Sequence, residues 1–178
     1  MIKKILSLLV FTFLFTTYSF SQKTTIYAPV YSKEGKVGTC QVDFIRRGDT
    51  YQIIARDRTL GTLAEFSKSA GGTVSTSYKD EGGLRWWYCC PYYGANHIIR
   101  DYFIVVFDRA SDGGANLFFK TASADRKTIS DSRYCYYLSP SDYDLVYKNW
   151  IAPSTDDLRI VKQGDIFGDG VNVNPFVK

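Results

Sequence analysis

The chain has 178 residues, with 22 Lys and Arg against 18 Asp and Glu, and charges of both signs are interspersed rather than blocked. A formal net charge of +4 spread in this way excludes an electrostatic case for binding nucleic acid or an anionic membrane. Tyr (14) and Phe (12) are abundant while Leu, Ala and Glu are sparse, a bias towards pleated, half-buried surfaces that predicts a mainly β domain.

Residues 1–21 read as a cleavable secretory signal peptide. Lys3 and Lys4 precede an apolar run over 5–15, and Ser19 and Ser21 place small side chains three and one positions before a cut that leaves Gln22 first. The run is far shorter than the roughly 20 apolar residues of a membrane-crossing helix. The residue directly after the cut is Gln22 rather than a cysteine, so a lipid anchor is not indicated. Cleavage removes two of the 22 basic groups and leaves 20 against 18 acids, a net of +2. The remaining chain is one domain's worth, secreted to the periplasm or beyond the cell, with no membrane insertion after cleavage.

Short hydrophobic runs broken by turn residues every 8 to 12 positions or so predict strands. They fall at 24–31, 39–46, 51–57, 62–67, 84–90, 97–108, 116–121 and 133–138. Gly48-Asp49, Gly71-Gly72, Gly82-Gly83 and Gly113-Gly114 supply breaks where positive φ or a turn costs little. The stretch 111–114 (SDGG) reads as a hairpin loop rather than an anion cradle, because no helix start follows it. After Pro140, residues 141–150 have the spacing of one short helix that Pro153 stops. The strand-rich domain thus spans 22–162, followed by a Gly-, Asn- and Asp-rich tail over 163–178.

Cys40, Cys89, Cys90 and Cys135 all follow the signal peptide, and an even number of cysteines in an exported chain predicts disulfides. A bond between neighbours Cys89 and Cys90 is disfavoured. Their α-carbons lie about 3.8 Å apart, below the usual span of roughly 4.4 to 6.8 Å. In a strand the two side chains leave on opposite faces, so one is expected to reach Cys40 and the other Cys135. Each crosslink closes a long loop and contributes about 4 kcal/mol at most. Neither cysteines separated by the roughly two to four residues of a zinc site nor a histidine at zinc-finger spacing occurs, so no metal site is predicted among them. In the tail, Asp165, Asp169, Asn172 and Asn174 carry oxygen ligands near glycines, but the spacing does not match a calcium loop. No cofactor is expected.

Two words recur. Residues 51–58 (YQIIARDR) match 102–109 (YFIVVFDR), and 66–70 (FSKSA) match 118–122 (FFKTA), which suggests an internal repeat. The unit is an apolar strand, then a charged residue, then a small pair such as Ala110-Ser111 or Ala122-Ser123. From 86 to 127 the chain reads WWYCCPYYGANHIIRDYFIVVFDRASDGGANLFFKTASADRK. This resembles the short-repeat bacterial family named for the septoil knot, over about 51–127. The family's Tyr-x-x-Ala-Asp turns are echoed by Tyr92-Tyr93-Gly94-Ala95-Asn96, Gly114-Ala115-Asn116 and Ser123-Ala124-Asp125. The chain departs from that pattern in its four cysteines, an insertion over 96–101, the glycines within 112–114 and the C-terminal extension. The resemblance implies a small strand-rich domain with a deeply knotted backbone and no enzymatic activity.

Two site candidates follow. Trp86, Trp87, Tyr88, Tyr92 and Tyr93 form a dense aromatic cluster that could stack on sugars or anchor a protein, though in a strand at least one of its faces is expected in the core. A second aromatic group comprises Tyr134, Tyr136, Tyr137, Tyr143, Tyr147 and Trp150. His97, the single histidine, could serve a hydrolase with a carboxylate such as Asp101 or Asp108, but acid–base chemistry needs a positioned partner that the sequence does not identify. The leading expectation is a secreted, disulfide-stabilised structural or interaction module without catalysis, its partner a glycan or an envelope or extracellular protein.

Overall fold

The structure is a computed structural model that describes residues 21–48, 50–57, 61–67, 73–78, 84–130, 132–157 and 159–162. The proposed leader, apart from Ser21, and the tail with its calcium-like residues lie outside the described residues.

Ten strands form one sheet: β1 (Ser21–Ser32), β2 (Gly35–Arg47), β3 (Thr50–Asp57), β4 (Gly61–Ser67), β5 (Thr73–Tyr78), β6 (Leu84–Tyr93), β7 (Ile99–Arg109), β8 (Ala115–Ser123), β9 (Cys135–Leu138) and β10 (Arg159–Lys162). The spatial order is β10-β5-β6-β7-β8-β9-β1-β2-β3-β4. Two meanders, β1 to β4 and β5 to β9, are therefore joined where β9 pairs with β1 through Val30–Tyr136 and Tyr31–Cys135. Every pairing is antiparallel apart from β10 on β5. The sheet curls until β4 approaches β7 and β8.

Strict alternation drives the curl. In β1, Thr24, Ile26, Ala28 and Val30 are buried while Lys23, Thr25 and Tyr27 point out, so each strand offers one apolar face to a shared interior. That interior gathers Phe44, Tyr51, Ile53, Phe66, Tyr88, Phe107, Leu117 and Tyr136. β7 is buried on both faces, and its outward side forms a second cluster in which Ile104 and Val106 meet Phe118 of β8.

A helical segment packs against the interior and carries its largest side chain. It consists of α1 (Pro140–Val146), a π turn (Tyr147–Ile151) and α2 (Ala152–Asp157). Ser139 caps α1: its hydroxyl accepts from the Asp142 N–H at 3.3 Å and donates to the Asp142 carboxylate at 2.6 Å. Pro140 stands in the first turn, where no N–H is needed. Trp150 then reaches Tyr88 (ring centroids 4.7 Å apart), Tyr51 (5.4 Å), Phe107 (5.9 Å) and Phe44 (6.0 Å). Its indole N–H donates to the Ile45 carbonyl at 3.2 Å. The Tyr88 and Ser154 hydroxyls meet at 2.7 Å and close the same junction.

All eight sequence-predicted strands are present, and β5 and β10 are additional. The 111–114 stretch is the expected hairpin loop: Ala110 N–H donates to Gly114 O (2.9 Å) and Gly113 N–H to Ala110 O (3.1 Å), with Gly113 at φ +91. Pro153 does not end the helix, contrary to expectation. It falls in the first turn of α2, behind a π turn whose wider hydrogen-bond spacing removes the need for its missing donor.

The repeated words are not equivalent copies. They occupy the third and fourth strands of each meander, yet Tyr51, Ile53, Ala55 and Phe66 face the interior whereas Tyr102, Ile104, Val106 and Phe118 face outward. Equivalent strands keep their inside and outside, and an exchange of faces is what a one-residue slip in register produces.

Candidate functional site

The expected crosslinks are not present: no disulfide joins Cys40, Cys89, Cys90 and Cys135, all of which are buried. Cys89 and Cys90 do leave β6 on opposite faces, Cys90 joining Cys40 in the interior and Cys89 joining Cys135 in the outer cluster. Strand order shows why Cys89 and Cys135 stay apart. β7 and β8 lie between β6 and β9, a separation of about 14 Å at roughly 4.8 Å per strand, twice the reach of a disulfide. The Cys135 thiol instead donates to the Asn116 side-chain oxygen at 3.3 Å. Burial pushes Cys89 and Cys135 up to about 12 and Cys40 to about 11, with the negative charge of Asp57 adding to the effect at Cys40. None of these three is a thiolate nucleophile near neutral pH.

The aromatic cluster of β6 divides. Trp86 and Tyr88 belong to the interior, which removes them from any surface role, and the side chain of Trp87 lies outside the described residues. Tyr92 and Tyr93 are exposed, with Tyr92 leaning on Phe103 at 5.1 Å. In the second group Tyr136, Tyr143 and Trp150 are core, and Tyr147 is exposed.

His97 sits exposed on the 3-10 turn Ala95–His97 at φ 56, beside Asn96 at φ 64. Among the described residues its side chain makes no ion pair or hydrogen bond. Asp101 pairs with Arg100 at 3.4 Å. Asp108 stands near the far end of β7, roughly 30 Å from the turn at about 3.3 Å per residue. Among the described residues neither carboxylate forms a hydrogen bond or ion pair with His97. Among the described residues no group of three or more His, Cys, Asp or Glu could hold a metal.

A different constellation is assembled on the outward face of β1, β2 and β3. Tyr27 pairs with Gln41 and Gln41 with Arg56, so three side chains form one cross-strand row, neighbours about 5 Å apart. With Thr39, and with Cys40 and Asp57 from the opposite face of the sheet, they line a cavity of about 570 Å³, within the range of roughly 300–1,000 Å³ that small ligands occupy. Tyr27 is 68% exposed, the most exposed aromatic ring among the described residues.

The row is held from one side by Asp43. Its position between the interior residues Val42 and Phe44 turns it outward, yet its side chain is fully enclosed. It accepts from Thr25 Oγ1 (2.8 Å), Gln41 Nε2 (2.9 Å), Lys23 Nζ (3.1 Å) and the Arg56 guanidinium. Burial alone would raise its pKa. The hydrogen bonds from Gln41, Thr25 and Lys23, with the Lys23 charge, outweigh that and hold the carboxyl below its ordinary value. Because the Gln41 nitrogen is committed to Asp43, its amide oxygen is left as an acceptor. Lys23 and Arg56 balance Asp43 and Asp57, so the site carries no net charge.

A second cavity, of about 470 Å³, lies between the β1–β2 hairpin and the approach to β9, lined by Ser32, Lys33, Glu34, Val37, Ser132, Arg133 and Tyr134. Arg133 already covers the Tyr134 ring at 5.2 Å.

This row was not among the candidates drawn from sequence, although a signal for it exists: Lys23, Thr25 and Tyr27 alternate with core residues in β1, and Gln41 and Asp43 do so in β2. A carboxylate between two core positions in a strand is costly unless paired, and that anomaly marks the place. No family model, curated protein or solved structure matches the chain.

Proposed function

We propose that the protein is an exported, non-catalytic binding module that holds its ligand in the cavity beside Tyr27. The observation that carries this reading is the row Tyr27–Gln41–Arg56, preset by the enclosed Asp43. Polar groups fixed before a ligand arrives lose little entropy on binding it. The site offers a ring, acceptors and a guanidinium, while its one thiol is pushed up to about 11 and stays protonated. That inventory suits recognition rather than bond cleavage. Export rests on the leader-like order of residues 1–21. Kinship with the septoil-knot repeats rests on the strand and turn words of 51–127, and that family would bring no enzymatic activity with it.

The test is thermal stabilisation by a library of small polar and aromatic fragments, since a ligand that binds only the folded state raises the melting temperature in a saturable way. Fragments are expected to stabilise the wild type and to lose that effect in Gln41→Ala. Stabilisation indifferent to Gln41→Ala, or hydrolysis of a chromogenic ester that disappears in His97→Ala, would overturn the reading.

A further inference from the structure

Resting on the binding reading above, we infer that the Tyr27 cavity takes the uncharged, hydroxyl-rich ring of a glycan, a neutral pyranoside. Three features point to this chemistry. Pyranose rings present a face of C–H bonds and a rim of hydroxyls, and Tyr27 supplies an exposed flat surface for the former. For the rim, the site offers a fixed amide oxygen on Gln41, a guanidinium on Arg56, a hydroxyl on Thr39 and a carboxylate on Asp57. Sugar hydroxyls donate and accept at once, so a cavity lining that mixes both kinds of partner matches them. Two cations against two carboxylates leave no net charge to reward an anionic ligand.

Asp43 is a positioning residue in this scheme. Enclosed beneath the row, it reaches the ligand only through Gln41 and Arg56, whose head groups it fixes. Replacing it with Asn exchanges an all-acceptor carboxylate for an amide that donates as well, so Gln41 and Arg56 are no longer both held.

Methyl glycosides of glucose, galactose, mannose and N-acetylglucosamine are the probes, with glucuronic acid and indole for contrast, read by saturation-transfer NMR on the full protein. At least one neutral glycoside is expected to receive saturation at its ring C–H groups. Its affinity should fall at least tenfold in Tyr27→Ala, persist in Tyr27→Phe, and fall several-fold in Asp43→Asn at unchanged amide dispersion. Tyr27 is mostly solvent-exposed, so Tyr27→Ala leaves the fold intact. If indole binds at Tyr27 and no sugar does, the glycan assignment falls while the binding reading stands. If glucuronic acid outcompetes every neutral sugar, the assignment to an uncharged ligand is overturned. Should no probe touch the cavity, the glycan assignment and the binding reading fall together.

Discussion

Asp43 links stability to recognition. Its folded pKa lies below the ordinary value, near 4 for an unfolded carboxylate, so folding releases its proton more readily than the unfolded chain does. The stability it contributes is complete above about pH 4 and is lost as pH falls through the depressed folded value. Asp112, bonded by Tyr137 and the Gly114 N–H, and Asp125, bonded by Ser123 and the Lys127 N–H, are shifted the same way, so an acid limb persists without Asp43. Urea midpoints between pH 7 and pH 2 are expected to fall more steeply for the wild type than for Asp43→Asn, with the gap closing at the acid end. Parallel limbs would contradict the role given to Asp43. Little of this was legible in the sequence. The alternation of β1 and β2 was plain, but that Lys23, Thr25, Gln41 and Arg56 converge on one carboxylate depends on register across three strands, which no local pattern specifies. The cysteines teach the same lesson from the other side: opposite faces for Cys89 and Cys90 follow from strand periodicity, whereas the pairing depended on which strands became neighbours.

At the scale of elements, the runs with enough apolar residues to alternate were readable, and those without were not, even beside glycine pairs. β5 reads TVSTSY, with too few apolar residues to alternate, and β10 is four residues long and gains its place only by parallel pairing. The π turn was hidden because the same residues suit an α-helix until Pro153 and Trp150 must both be accommodated. Turns separate two roles of glycine. Gly113 needs its positive φ, while Gly114 is crowded: an added Cβ would meet the Leu138 carbonyl oxygen at 2.3 Å and the Tyr137 hydroxyl at 3.0 Å. Gly114→Ala is expected to destabilise by more than about 1 kcal/mol, because the β7–β8 loop must lift away from β9. Gly38→Ala, whose new methyl meets nothing within 4 Å, should stay within about 0.5 kcal/mol of the wild type. Denaturant midpoints of the two variants check the contrast, and equal midpoints would deny the close approach of loop and strand.

At the scale of the molecule, a curled sheet invites the idea that its interior holds the ligand. Here the interior is filled by its own aromatic rings, with Trp150 lodged among Phe44, Tyr51, Tyr88 and Phe107. Tyr136, Tyr143 and Trp150 of the second aromatic group thus supply core, as do Trp86 and Tyr88 of the first, and the proposed recognition site lies instead along β1 to β3. The fold class was evident from composition and turn spacing, because an all-strand chain of this size has few ways to bury so many rings. The location of the site was not, because the densest aromatic cluster advertised a surface that packing consumed.

The most direct measurement follows the side-chain and indole NMR signals during titration with the best-binding methyl glycoside. The expected result is movement of Tyr27, Gln41 and Arg56, with the Trp150 indole N–H, bonded to the Ile45 carbonyl inside the sheet, unmoved. Movement of the Trp150 indole with Tyr27 silent would place the ligand in the interior and contradict a binding site on the outer face.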